Sequence, residues 1–155
     1  MPNKLPKTPG LVTVNVEPNI KETILQLGEN AFRTKMYDEA VKHFKEAYAL
    51  GKFHSQEEFG EPLHPLAARA LFRVGDTIFT MVERRIGENY HQAIDAYKTA
   101  IRITQDAHKI AQSNGEIFEA NSLLPHANLR IGRAYQKMGF QHEAAIYYQI
   151  LQERF

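Results

Sequence analysis

Cysteine is absent from the 155 residues, which removes disulfides, zinc–thiolate sites and thiol nucleophiles from consideration. No stretch approaches the roughly 18 consecutive apolar residues of a membrane-crossing helix, so direct membrane insertion is not expected. The proline-rich opening from Met1 to Gly10 lacks the apolar centre of a secretory signal. As it stands the chain reads as cytoplasmic, and prior removal of a targeting segment would make a periplasmic location equally compatible. An excess of charge is also missing. With 19 basic and 18 acidic residues the formal net charge is +1, too little to draw in nucleic acid or an anionic membrane by a general field. Any partner is then recognised by local surface.

Catalytic patterns are likewise lacking. No histidine pair stands at i, i+4 beside a catalytic glutamate, and neither a G-x-S-x-G nor a phosphate-loop sequence occurs. Glu57 and Glu58 are a carboxylate pair of the kind found on any surface, without a pocket to shift a pKa. His54, Glu57, Glu58, Glu61 and His64 share one segment and are ligand-type side chains. A metal needs three or four of them converging, however, and nothing in a segment holding Gly60 and Pro62 enforces that register. The segment reads as a polar connector. Neither an enzyme activity nor a metal or cofactor is expected.

What the chain does have is internal repetition. Leu27-Gly28 is followed by Tyr37, Ala40, Phe44 and Ala47; Val74-Gly75 by Tyr90, Ala93, Tyr97 and Ala100; Ile131-Gly132 by Tyr135, Ala144, Tyr148 and Leu151. Glycine and alanine are 12 residues apart in the first and third copies and 18 in the second, and the ring follows the alanine by four in all three. Each copy reads as a helical hairpin: glycine on the first helix lets the second come close, and a small residue there leaves room for the ring one turn later. Apolar positions such as Ile24, Leu27 and Ala31, or Leu71, Val74 and Ile78, keep helical period. Strand-like alternation is confined to Leu11–Val16. The predicted helices are 19–35, 38–52, 65–86, 89–112, 116–138 and 141–155, with Pro65 in a first turn, Pro125 starting or kinking its helix, and Gly139 in a short turn. Residues 1–19, with Pro2, Pro6, Pro9 and Pro18, are expected to form an extended arm ahead of a single helical domain over 20–155.

On these residues the chain resembles the tetratricopeptide repeat family over about 20–155, most closely in Leu27–Leu50 and Ile131–Leu151. It departs from that family in length. Glycine-to-glycine spacings are 47 and 57 residues, against a usual repeat of about 34, and the second copy carries some extra residues around Glu83–Asn89. This lengthened form is similar to repeat domains of bacterial regulators and kinesin-type adaptors. The resemblance implies an all-α fold in which antiparallel hairpins stack as a short right-handed solenoid. It also implies a non-catalytic scaffold that binds a protein or peptide in the concave surface formed by the first helix of each repeat.

Carried over by position, that surface would be lined by Glu22, Leu25, Glu29, Phe32 and Arg33, then Arg69, Phe72, Arg73, Asp76 and Phe79. The third repeat would add His126, Leu129, Arg130, Arg133, Gln136 and Lys137. Arg69, Arg73, Arg130, Arg133 and Lys137 suit the carboxylates of an acidic partner; the alternative is that they pair with Asp76 and Glu83. Leu25 and Glu29 stand where chaperone-binding members carry Lys and Asn, so a grip on chaperone C-termini is not expected. The last helix shows a second apolar edge, Ile146, Tyr147, Ile150 and Phe155, which repeat arrays normally cap. Self-association through this edge, as a homo-oligomer, is the competing reading. A third is an envelope-assembly adaptor, since Tyr147–Phe155 resembles repeats of bacterial outer-membrane assembly factors.

Overall fold

The computed structural model describes residues 8–59, 65–87, 89–116 and 118–155, with side chains from residue 20 onward except over 52–59. It is all-helical. The order is α1 (Thr8–Arg33), α2 (Tyr37–Phe59), α3 (Pro65–Glu83), α4 (His91–Ser113), a 3-10 turn (Glu119–Leu123), α5 (Leu124–Lys137) and α6 (Gln141–Arg154). Consecutive helices pair as hairpins: α1 on α2, α3 on α4 and α5 on α6. The first helices of the hairpins also touch in series, α1 to α3 and α3 to α5.

The repeated glycine is what closes each hairpin. A methyl group at Gly28 would stand 2.6 Å from the Phe44 ring, one at Gly75 2.7 Å from Tyr97, and one at Gly132 2.7 Å from Tyr148. Those distances are far inside van der Waals contact, so only a bare backbone admits the ring. Ala40, Ala93 and Ala144, one turn ahead of the three rings, are buried. Phe44 and Tyr97 are fully enclosed, whereas Tyr148 at the last hairpin stays partly open.

Helix ends follow one pattern. After α1, α3, α4 and α5 the chain turns through a left-handed residue: Lys35 (φ 64°), Arg85 (φ 63°), Gly115 (φ 75°) and Gly139 (φ 87°). In each case two backbone bonds return to the helix, as in Lys35 N–H to Phe32 O (3.0 Å) and Met36 N–H to Ala31 O (2.8 Å). This is the usual way of satisfying the last carbonyls of a helix. Pro125 lies in the first turn of α5, where its missing N–H costs nothing.

Three expectations are corrected. The arm over 1–19 is not extended where it is described, because α1 already begins at Thr8. Pro9 occupies its first turn, a tolerated place, and helical backbone continues through the alternating Leu11–Val16. The fifth helix starts at Leu124 rather than near 116, the intervening stretch forming the 3-10 turn. Leu27, expected in the core, is 45% exposed, while its equivalents Val74 and Ile131 are buried. That position faces the preceding hairpin: α2 covers Val74's helix, and nothing among the described residues precedes α1.

Candidate functional site

The face formed by α1, α3 and α5 holds most of the residues singled out in the sequence, and its organisation follows the repeat register. The residue two before each glycine is Gln26, Arg73 and Arg130; the residue one after it is Glu29, Asp76 and Arg133; the residue four after it is Phe32, Phe79 and Gln136. Arg73 reaches back one hairpin, donating to both Glu29 carboxylate oxygens at 2.7–3.2 Å, with its guanidinium 4.5 Å from the centre of the Phe32 ring. Arg130 repeats the move one hairpin on. It stands 3.6 Å from an Asp76 oxygen, and its guanidinium lies 4.8 Å from the Phe79 ring. Two equivalent interlocks of arginine, carboxylate and ring therefore join α1 to α3 and α3 to α5. Each combines a charge-assisted contact with a cation–π contact of about 0.5–2 kcal/mol.

Asp76 is the centre of this arrangement. Only 7% exposed, it accepts from the Tyr97 hydroxyl of α4, from Arg73 Nη1 at 2.9 Å, and lies 3.2 Å from His126 Nε2 of α5. Burial alone would raise its carboxyl, but the bonds from His126, Tyr97 and Arg73 and the charge of Arg73 outweigh it, holding the group below its ordinary value. Tyr97 responds in the opposite sense, its hydroxyl pushed up by burial and by the neighbouring carboxylate. A second, more exposed cluster lies further along the face. Glu83 accepts from Lys137 Nζ at 2.6 Å and from the Tyr90 hydroxyl. Its carboxyl is lowered chiefly by the Lys137 bond, and Tyr90 is pushed up to about 12 by burial and by Glu83.

These contacts revise the expected lining. Leu25, Phe72, Asp76 and Phe79 are buried, Asp76 and Phe79 between α4 of their own hairpin and Arg130 of the next. Arg73 and Arg130 are half-buried and engaged with carboxylates, and Lys137 is paired with Glu83. Arg69 keeps a looser contact with Glu119, 3.3 Å, both side chains being substantially exposed. Outward on this face are Glu22 and Arg33 of α1, Arg69 of α3, and half-exposed His126, Leu129, Arg133 and Gln136 of α5. Leu129 is open at 36%, and among the described residues no hairpin follows that of α5 and α6.

The terminal apolar edge divides in two. Ile146 and Phe155 are exposed, at 44% and 54%, whereas Tyr147 and Ile150 are half-buried. The Tyr147 ring lies 5.9 Å from that of Tyr135 and beneath the Lys98 ammonium. Tyr147, Ile150 and Phe155 line one side of an open trough of about 370 Å³ between α6 and α4.

Of the expected connector, His54, Glu57 and Glu58 lie on the backbone of α2, which runs to Phe59 and not to 52; their side chains, and Glu61 and His64 altogether, lie outside the described residues. Among the described residues no group of three or more His, Asp or Glu is placed to hold a metal ion, and no helix is long and apolar enough to cross a membrane. Comparison with models of known protein families, with curated proteins and with solved structures found no match.

Proposed function

We propose that the chain is a non-catalytic interaction scaffold of tetratricopeptide-repeat type, its hairpins stacked as a short right-handed solenoid. On this reading it holds an acidic, partly apolar segment of a partner protein across the α1/α3/α5 face. The observation that carries the proposal is the pair of interlocks. They fix three first helices side by side and leave outward Arg133, which has no salt bridge among the described residues, and Arg69, held only loosely by the exposed Glu119, next to the apolar Leu129. A rigid face that needs no ordering on binding loses less entropy when it meets a flexible segment.

Arg130 is unsuitable for testing this, because reversing it breaks an interlock. Arg69→Glu with Arg133→Glu changes exposed charge. A partner recovered by pull-down should bind this double variant about tenfold more weakly, and wild-type binding should weaken with salt. Equal affinity in a variant with unaltered circular dichroism would place the site elsewhere.

Exposure of Ile146 and Phe155 favours a second reading, self-association through α6. Continuing the stack end to end is not how it would occur. A following hairpin would meet Arg133 and Gln136 where the interlock needs a carboxylate and a ring, and the first hairpin offers Gln26 where it needs arginine. Sedimentation of wild type against Ile146→Lys decides whether α6 joins copies by a contact of another kind.

A further inference from the structure

The two seams between hairpins are built differently, and the difference opens a second surface. At the first seam α2 lies along α3 extensively, and Gly51 meets Ala67 so closely that a methyl group at Gly51 would collide with the Ala67 Cβ. The equivalent positions at the second seam follow from the register. Gly51 stands eleven after Ala40, as Thr104 stands eleven after Ala93; Ala67 stands eight before Gly75, as Leu124 stands eight before Gly132. Thr104 and Leu124 are both buried, and side chains of that bulk do not allow the backbone approach that Gly51 and Ala67 make. α4 lies along α5 over a much shorter stretch than α2 along α3.

The space left between α4 and α6 is the trough of about 370 Å³. Its apolar surface comes from Ile101, Ile150 and Phe155, and its charge from Lys98, Arg102 and Arg154. No Asp or Glu side chain lines it, and none of the three cations forms a salt bridge with a carboxylate among the described residues. Lys98 donates instead to the Tyr135 hydroxyl at 2.6 Å, a neutral partner that orients the ammonium without cancelling it. Lys98 and Arg102 are one turn apart on a single helix face, about 6 Å along the axis, while Arg154 lies across the trough on α6. Cations strung out in this way suit carboxylates spaced along a chain better than a single compact headgroup.

We propose that the trough between α4 and α6 is a docking site for an acidic linear peptide segment in which carboxylates alternate with apolar side chains. Lys98, Arg102 and Arg154 take the carboxylates, and Ile101, Ile150 and Phe155 take the apolar groups. The surface is separate from the α1/α3/α5 face, and the proposal stands or falls independently of that one.

The test is fluorescence anisotropy of the full chain with a labelled peptide of about eight residues alternating Glu with Leu or Phe, and with its Gln-for-Glu counterpart. Binding of the acidic peptide, loss of about tenfold or more in affinity for the Gln peptide and for Arg102→Glu with Arg154→Glu, and an unchanged affinity in Arg69→Glu with Arg133→Glu are expected. Arg102 and Arg154 are exposed, so these variants should fold; the milder Arg102→Gln with Arg154→Gln should fall between the extremes. Absence of wild-type binding up to about 1 mM peptide, or equal affinity in the Arg102/Arg154 reversal, overturns the proposal. So does sedimentation showing a dimer that the same reversal dissolves while no peptide binds, since the occupant would then be a second copy.

Discussion

Replacing Asp76 by alanine removes the acceptor on which α3, α4 and α5 converge. The Tyr97 hydroxyl is left in a fully enclosed site without its partner, a loss of about 1–3 kcal/mol for a buried unsatisfied donor. Arg73 keeps Glu29, but Arg130, half-buried over Phe79, loses its carboxylate. Removing one member of a buried charge pair costs about 3–5 kcal/mol. Arg130 is about a quarter exposed, which places it toward the lower end of that range. Together the two losses amount to about 4 kcal/mol, or a fall in Tm of about 10 °C for a chain of this size. Urea titration followed by helical circular dichroism measures the change directly, provided the m-value is unchanged. Tyr97→Phe alone should cost about 1 kcal/mol. The double variant should be less destabilised than the sum of the singles by about 1–2 kcal/mol, because the orphaned hydroxyl is then gone. An Asp76→Ala protein within about 1 kcal/mol of wild type, or strict additivity with Tyr97→Phe, would refute the assignment of Asp76 as the centre of the network.

The same network sets a pH dependence: Asp76 is depressed in the folded state, so its contribution is complete above the unfolded value near 3.8 and is lost as pH falls below it. Acid titration of stability should therefore be shallower in Asp76→Asn than in wild type over that window. Gly75→Ala should destabilise by about 1–2 kcal/mol, the enclosed Tyr97 ring having nowhere to go. Gly132→Ala should be nearly neutral, since the partly open Tyr148 can swing aside and alanine gains about 1 kcal/mol of helix propensity; equal effects in thermal melts would contradict this account. Lys35→Gly should stabilise by about 0.5–1 kcal/mol by relieving a left-handed backbone at a residue with a Cβ, read as a rise in the urea midpoint.

The hairpins were legible because their determinants are local. Glycine, alanine and ring at fixed spacing, with turn residues between them, specify a two-helix unit without reference to the rest of the chain. Four of the six helices begin within a few residues of where periodicity and punctuation put them. Pairing of Arg73, Arg130 and Lys137 with Asp76 and Glu83, the alternative reading, is what the structure shows; the reach of Arg73 to Glu29 was not read, although both are visible in the register. Arg73 finds Glu29 at a separation of 44 residues, beyond any i, i+4 rule, and the carried-over groove assigned the same side chains to a ligand. The lining residues Phe72 and Phe79 failed for a related reason: whether a position on the first helix faces solvent or the next hairpin depends on how far each hairpin is rotated against its neighbour. The start of α1 was missed because four prolines in nineteen residues were given one meaning, whereas Pro9 in a first turn is compatible with helix. The contrast between seams was also present in the letters, Gly51 and Ala67 against Thr104 and Leu124, but becomes meaningful only once Gly51 is seen to meet Ala67 across hairpins.

In a linear array, stability is approximately a sum of unit terms and nearest-neighbour terms, so a seam with less contact is where the molecule opens first. With less contact at the second seam, α5 and α6 are expected to open at a lower free energy than α1 to α4. Backbone amides of α5 and α6 would exchange with solvent as a block, through transient release of the terminal hairpin, even though both helices are well formed. An occupant bridging α4 and α6 would then be felt mainly as a slowing of that release. The protein could register a bound segment in how long its last hairpin stays docked, with no change of average shape.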